Sequence, residues 1–329
     1  MSMILGVHLL ERLYLVSDTR LTEGQLPDGT KVYSDDFIKF FPFNERIGVV
    51  AAGSALGASY ILNKLVKQVS KLTSIDELMQ LINDNLAKHI SDFVNETGKY
   101  GEIAFTIGGF NPHKLTKSID VVKLGEAMSG QLVAAGEGSM MNQSIDSRLI
   151  AAMPRLSGKG KGDRIEIENV QESKMYSVVI NIQTAEFKIK EIDTYDYVTF
   201  HPEQGTKNVS LPREILSALE FRERSKDWES NLYQESETLI NFFRKIVREE
   251  GFSTVGGHIF PVLQIPETNM YPTGNLGRND KNGMLVNEGG IFASNGQATY
   301  EYKDGKKGVF RSLTEYVYKA GISLGESQL

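Results

Sequence analysis

The chain has 329 residues, 40% of them hydrophobic and 24% charged, which is an ordinary composition for a globular protein with a large core. Its net charge of −6 gives no support for binding a polyanion such as nucleic acid. The absence of cysteine excludes disulfides and thiolate metal sites and suits a reducing cytosol. No apolar run approaches the roughly 20 residues that span a bilayer. We therefore expect a cytoplasmic protein that binds neither nucleic acid nor a membrane.

The N-terminal region predicts three strands. Apolar runs at Met3–Leu10 and Leu13–Ser17 flank Glu11-Arg12, which predicts a tight antiparallel hairpin. The first run is short and lacks a basic leader, so we do not interpret it as a signal peptide. A third apolar run lies at Ile47–Ala52. Because apolar residues are nearly unbroken in all three runs, these strands need cover on both faces.

Two helices are predicted next. The first, Ala58–Ser70, has its large apolar residues at helical spacing on one stripe. The second begins with Ser74-Ile75-Asp76-Glu77, a capping box in which the serine hydroxyl accepts a hydrogen bond from a backbone amide and the glutamate reaches back. Gly98 lies just past the predicted end of this second helix.

The central region predicts further strands and helices around a long, weakly patterned stretch. Strands are expected at Glu102–Phe110, Ser118–Lys123 and Gln131–Ala135, and a helix at Met140–Ala152. After a glycine- and lysine-rich loop at Ser157–Gly162, the pattern predicts a hairpin of Tyr176–Ile182 with Glu186–Ile192 and a helix at Leu211–Leu232.

The C-terminal region begins with a helix and a strand. The helix is expected at Glu235–Arg248 and the strand within Thr254–Leu263. Pro266–Gly289 is rich in Gly, Asn and Pro and is predicted to be irregular. The remaining predictions are a short strand at Gly290–Ser294, a hairpin at Ala298–Phe310 that turns at Asp304-Gly305, and a short helix at Ser312–Ala320.

Serine occupies position 2, directly after the initiator methionine. If Met1 is removed, Ser2 carries a hydroxyl and a free α-amine on the same residue. A hydroxyl is a poor nucleophile until a base takes its proton, and an α-amine with a pKa near ~8 can take it around neutral pH. Ser2 is therefore a candidate nucleophile that carries its own base.

Lys39 is the candidate cation for such a site. It shares a predicted strand face with Phe37 and Phe41, so its ammonium is expected to be partly buried. A buried cation beside the α-amine would favour the neutral form of that amine and stabilise the serine oxygen as it loses its proton. The alternative is a lysine whose ammonium reaches solvent from the strand edge.

Three other residues mark strand ends. Asp18 and Arg20 lie two positions apart, so their side chains share a face. They form either a structural ion pair that holds the hairpin or a group that orients Lys39, and the two roles are compatible. Gly53 ends an apolar strand before a helix. It is either a plain turn or the donor of an amide aimed at a developing oxyanion.

In this order and near this spacing, these residues resemble the start of a diverged, bacterial proteasome-type β-subunit in the N-terminal-nucleophile (Ntn) hydrolase superfamily. The resemblance places Ser2 on the nucleophile, Asp18, Arg20 and Lys39 on the charged groups, and Gly53 on the oxyanion glycine. Further along, Gly136-Glu137-Gly138-Ser139 resembles the family's glycine/serine turn. The resemblance therefore adds Glu137 and Ser139 to the candidate catalytic residues.

The resemblance implies an α+β fold, a four-layer αββα sandwich of two antiparallel sheets between helical layers. It would occupy residues 2–265, with 157–234 as a long insertion between the third and fourth helices. Residues 266–329 would form a C-terminal extension with an irregular segment, a hairpin and a short helix.

The implied function is that of a hydrolase, a protease or amidase that acts on a peptide or amide substrate through an acyl-enzyme at Ser2. No metal or organic cofactor is expected, and a homo-oligomer, typically a ring, is implied. Phe252 and Val255 stand where the family has an aspartate and a serine, which favours a catalytically silent scaffold subunit as an alternative. A small-molecule amidase is a second alternative. The five histidines show no metal-ligand spacing.

Overall fold

The computed structural model describes residues 2–10, 12–68, 74–99, 101–120, 164–220, 228–252, 255–266, 268–270, 275–279, 285–294, 297–302, 305 and 307–317. Its largest sheet has six antiparallel strands in the order β12-β11-β1-β2-β13-β14. These strands are β1 (Ile4–His8), β2 (Leu13–Asp18), β11 (Asp196–His201), β12 (Gly205–Ser210), β13 (Ile259–Ile265) and β14 (Thr268–Met270).

A second sheet has five antiparallel strands in the order β10-β9-β8-β7-β6. These strands are β6 (Phe40–Pro42), β7 (Ile47–Gly53), β8 (Glu102–Asp120), β9 (Arg164–Asn181) and β10 (Glu186–Ile192). The stretch expected to be an insertion thus supplies strands to both large sheets, and its predicted hairpin is confirmed by the pairing of β9 with β10.

Three smaller sheets complete the pairing in the described parts of the chain. One is the hairpin of β3 (Leu21–Gln25) and β4 (Lys31–Ser34), and one is the parallel pair of β5 (Phe37–Ile38) and β19 (Arg311–Ser312). The third is a four-stranded antiparallel sheet of β15 (Asn275–Asn279), β16 (Leu285–Ser294), β17 (Gln297–Tyr302) and β18 (Lys307–Val309).

The helices are α1 (Ala55–Val66), α2 (Ile75–Thr97), α3 (Arg213–Glu220) and α4 (Trp228–Glu250), and residues 313–317 form a further helical turn. The predicted capping box of α2 is confirmed, because the Ser74 hydroxyl accepts from the Glu77 amide and Glu77 accepts from the Ser74 amide. Gly98 then ends α2 in the left-handed conformation at φ +63°. No helix of the described residues is long and apolar enough to cross a bilayer.

The part of the hydrophobic core that the structure describes consists of three clusters. One lies between the two large sheets and includes Leu15 of β2 and Val50 of β7. A second combines the five-stranded sheet with α1 and α2, and a third combines the six-stranded sheet with α3 and α4. Neighbouring residues alternate between clusters, as with Leu15 and Val16, because successive side chains of a strand point to opposite faces. The expectation that β1, β2 and β7 are covered on both faces is confirmed.

The predicted fold class, an α+β four-layer αββα sandwich of two antiparallel sheets, is wrong as stated. The described residues form five sheets, and the pair of β5 with β19 is parallel. The structure is a mixed α and β fold with mainly antiparallel sheets. The difference arises because the segments after Arg20 and after residue 266 pair their own backbone groups into additional sheets, although the Gly, Asn and Pro content of Pro266–Gly289 favoured loops.

Several predicted boundaries also move. The helix expected at Ala58–Ser70 begins at Ala55, where the Ser54 hydroxyl caps it by accepting from the Gly57 amide. The two strands expected between residues 102 and 123 are one long strand, β8. The helix expected at Leu211–Leu232 is represented by α3 and the start of α4, with residues 221–227 outside the described ranges. The strand predicted at Gln131–Ala135, the helix at Met140–Ala152 and the loop at Ser157–Gly162 also lie outside them.

Candidate active site

A buried ion pair joins the end of β2 to the segment between β5 and β6. The Lys39 Nζ atom lies 2.7 Å from Asp18 Oδ1, and the two side chains are only 5% and 1% exposed. The ammonium of Lys39 therefore does not reach solvent from the strand edge, which was the alternative that the sequence left open. Burial lowers the pKa of Lys39, against the attraction of Asp18, which raises it.

Asp18 binds more than Lys39. Its Oδ1 atom also accepts a hydrogen bond of 3.1 Å from the Met3 amide, and its Oδ2 atom accepts one of 3.4 Å from the Gly256 amide. One carboxylate thus connects the start of the chain, the end of β2 and the segment before β13. Because Met3 is the next residue after Ser2, these bonds fix the position of Ser2 relative to Lys39.

Ser2 is buried, with 5% of its surface exposed. Its hydroxyl donates to the Arg20 carbonyl over 3.4 Å, a long contact for a hydroxyl donor. A weakly held hydroxyl can leave its partner and turn toward a substrate at little cost.

A pocket lies beside Ser2 and encloses about 280 Å³ of empty space, part of it open to solvent. The centre of a water molecule can occupy only about 20 Å³ of this space, so the pocket has room for one small group. Its lining combines three predicted site residues with mainly apolar neighbours: Ser2, Lys39, Gly53, Leu21, Phe37, Ala51, Ala52, Ser54, Ala55, Ala58 and Leu313.

Gly53 reaches this pocket at the end of β7. Its φ of +90° is a conformation that residues with a side chain rarely adopt. A Cβ atom at this position would lie 2.1 Å from the Glu102 carbonyl oxygen. The close approach of β7 to β8 therefore requires glycine, and the turn brings its backbone to the same pocket as Ser2.

Arg20 does not pair with Asp18. It forms a bidentate ion pair with Asp35, with Nε–Oδ1 at 2.7 Å and Nη2–Oδ2 at 3.0 Å. The hydrogen bond to Asp35 is the main cause that raises the pKa of Arg20. A Cβ atom on Gly256 would lie 2.2 Å from the Arg20 guanidinium carbon, so glycine there leaves room for the arginine. Arg20 supports the loops around the site and does not contact the buried pair.

Thr19 is part of the same support and was not singled out in the sequence. Its hydroxyl donates to the Asp35 carbonyl over 2.7 Å and accepts from the His258 amide over 2.8 Å. Both partners of Thr19 are backbone groups, so no pattern of side chains in the sequence indicated these contacts. Leu313 lines the pocket from the far end of the sequence, and no local pattern could have indicated it.

Glu137 and Ser139, the remaining predicted site residues, lie outside the described residues. Across the ranges that the structure does describe, no group of three or more His, Asp or Glu side chains could hold a metal ion.

Comparison with known proteins gives weak likenesses. No family model and no curated protein matches the chain. Among solved structures, Anbu (ancestral beta-subunit) from Yersinia bercovieri is 12% identical with a TM-score of 0.39, over 82% of this chain and 86% of that chain. The Anbu (Gly-1) mutant from Hyphomicrobium sp. strain MC1 is 8% identical with a TM-score of 0.35, over 99% and 97%. Both TM-scores are too low to carry an argument.

The identification of the chain as a diverged proteasome-type β-subunit of the Ntn hydrolase superfamily is therefore wrong as a family assignment. No family model supports membership, and the structural likeness is weak. The resemblance extended over about Ser2–Met140 and Glu235–Leu263, but each motif behind it is a short run of residues that is weak alone. The function must be argued from the site itself.

Proposed function

We propose that the chain, once Met1 is removed, hydrolyses amide or peptide bonds with Ser2 as the nucleophile. The Ser2 hydroxyl attacks the substrate carbonyl and its proton passes to the α-amine of the same residue. That proton then goes to the departing nitrogen as the carbon–nitrogen bond breaks, which leaves an ester on Ser2. Water attacks the ester, releases the acid and regenerates the hydroxyl.

Lys39 supplies the charge for this reaction. An ammonium beside Ser2 lowers the free energy of the serine oxygen as it loses its proton and keeps the neighbouring α-amine neutral. Since few water molecules can screen a group that is 4% exposed, its field at the pocket is stronger than in solution. Asp18 holds the ammonium in place through the 2.7 Å contact and compensates its burial.

Gly53 is the proposed donor to the oxyanion. Its backbone lies at the pocket that Ser2 and Lys39 also line. A backbone amide held in a rigid turn stabilises a developing negative charge without reorganising first. The apolar part of the pocket, which includes Phe37 and Ala51, would hold the side chain on the acyl side of the scissile bond.

One observation carries the proposal: a hydroxyl at position 2, a buried lysine and a glycine turn with positive φ line one pocket, and a carboxylate binds both the lysine and the residue after the serine. A structural lysine would not need a pocket beside it. The arrangement supports acyl transfer that requires no metal.

The test is turnover of N-acetyl-alanine p-nitroanilide by protein with a verified Ser2 N-terminus. The Ser2→Ala variant should lose all turnover above the uncatalysed rate. The matched control is Ser59→Ala, which removes a buried hydroxyl that donates only to the Ala55 carbonyl and does not line the pocket. Equal turnover by wild-type protein and Ser2→Ala would overturn the proposal, and wild-type protein inactive on this and other amides would favour a catalytically silent subunit.

A further inference from the structure

One wall of the pocket beside Ser2 is formed by a residue from the C-terminal region of the chain. Leu313, in the helical turn after β19, lines it together with Leu21 and Phe37. Only 1% of Leu313 is exposed, and it belongs to the same hydrophobic cluster as Phe37 and Ala51. Its side chain is thus a fixed boundary of the pocket.

The backbone that carries Leu313 is held by strand pairing. β19 pairs in parallel with β5, so Arg311 lies opposite Phe37 and Ser312 opposite Ile38. The Arg311 amide also donates to the Asp36 carbonyl over 2.8 Å. β5 leads directly into Lys39, and the wall is therefore attached to the strand that positions the proposed catalytic cation.

The Arg311 side chain adds a second attachment. Its Nη2 atom lies 2.8 Å from Asp36 Oδ1, and its Nη1 atom lies 2.8 Å from Glu23 Oε1 in the β3–β4 hairpin. Further along the turn, the Tyr316 ring meets the Phe37 ring edge to face at 5.3 Å, and Val317 is only 1% exposed. Contacts on both sides of Leu313 keep it from moving away when a ligand enters.

We propose that Leu313 determines which substrates the site accepts, by limiting the side chain next to the scissile carbonyl to a small aliphatic group. The inference rests on the proposed function, because that function makes the pocket the acyl-side subsite. In a pocket of this size and apolar lining, a leucine wall excludes aromatic side chains and leaves room for alanine-sized ones. Its truncation to alanine opens space deeper in the same pocket.

The experiment measures binding in the Ser2→Ala background, so that it does not depend on hydrolysis. N-acetyl-alanine amide and N-acetyl-phenylalanine amide are titrated separately and their dissociation constants are measured by NMR. Adding Leu313→Ala should shift the ratio of the two dissociation constants by about tenfold or more in favour of the phenylalanine amide. This is the effect expected when an apolar pocket changes by a few methylene groups. Adding Leu313→Phe should weaken even the alanine amide.

Val317→Ala is the matched control. Val317 is buried to the same 1% in the same cluster but does not line the pocket. The Val317→Ala variant should keep the ratio of the two dissociation constants within about twofold, even if the protein becomes less stable. Leu313→Phe covers the case in which the alanine variant does not fold, since it removes no core volume.

The inference would be overturned if the Leu313 variants had the same ratio of dissociation constants as the Val317 variant. It would also be overturned if neither amide bound the Ser2→Ala protein. If the selectivity shifts as expected but wild-type protein forms no acyl-enzyme, the role of Leu313 in selectivity is supported and the hydrolase proposal fails. The two failures therefore give different results.

Discussion

The ammonium of Lys39 lies 2.7 Å from the Asp18 carboxylate, and neither group has significant contact with solvent. A buried ion pair rarely adds net stability, because desolvating both charges costs about as much as their attraction returns. The structure nevertheless has this pair beside a pocket, and Asp18 also binds the amide of Met3, the residue after Ser2. The proposed electrostatic role in the pocket explains its presence better than stability does.

Removing the cation should remove the activity. Lys39→Ala should lower kcat/KM for an anilide substrate by at least about 10²-fold, the effect of one strong electrostatic contributor. Lys39→Arg should not restore it, because a planar guanidinium cannot replace a compact ammonium in an enclosed site. Lys64→Ala is the control, since Lys64 is half-buried, does not line the pocket and lies 3.6 Å from Glu96. Full activity in the arginine variant would contradict this role.

Removing the carboxylate should affect stability as well as rate. Asp18→Ala leaves the Lys39 ammonium buried without its partner, which should lower the free energy of unfolding by about 3–5 kcal/mol. Chemical denaturation monitored by circular dichroism measures this loss. The double variant Asp18→Ala with Lys39→Met should recover part of it, because it removes the unpaired charge as well. No recovery in the double variant would show that the Met3 and Gly256 contacts of Asp18 dominate.

Gly53 should not tolerate a side chain. In Gly53→Ala the new Cβ would meet the Glu102 carbonyl at 2.1 Å, in a conformation with positive φ. Gly98→Ala is a matched control with positive φ and no atom within 4 Å, so it reports conformational strain alone, about 1–2 kcal/mol. We expect the Gly53 variant to lose clearly more stability in the same denaturation experiment. Equal losses would mean that β7 and β8 separate easily.

Much of the site could be predicted because its residues are close together in sequence. The apolar flanks of Lys39 indicated burial, and Asp18 at a strand end indicated a partner. The ion pair between Asp18 and Arg20, one of their two possible roles, does not form, because a sequence shows which residues share a strand face but not which acid lies nearest across a turn. Asp35 takes that place through the loop after β4.

The same limit applies to the fold. The capping box of α2 and the hairpin of β9 with β10 were predicted because their signals are local. The parallel pairing of β19 with β5 joins segments from opposite ends of the chain, and no periodicity encodes it. Leu313 was missed as a pocket residue for this reason, whereas Phe37 was named because it neighbours Lys39.

His89 should make the fold sensitive to acid. It is buried in α2, and neither ring nitrogen has a hydrogen-bond partner among the residues that the structure describes. Burial lowers its pKa below the ordinary 6.5, against the attraction of Asp92. The unfolded chain therefore binds a proton at a higher pH than the folded one, and the stability present above pH 6.5 is lost as the pH falls through the folded pKa.

The variant His89→Phe isolates this effect. It should be more stable than wild-type protein at pH 8 by about 1 kcal/mol, since two unpaired polar atoms leave the core. Below pH 6.5 its advantage should grow by at most about 1.4 kcal/mol per pH unit. Other histidines titrate equally in both proteins and cancel in the difference. An advantage that does not change between pH 8 and pH 5 would contradict the assignment.

The most direct test of the central claim is the intact mass of the protein purified from its own cell, before and after exposure to a β-lactone. The account predicts a chain that begins at Ser2 and gains one acyl group, which fragmentation locates on Ser2. The Ser2→Ala variant should gain none. An active protein that retains Met1, or an adduct on any other residue, would contradict the account.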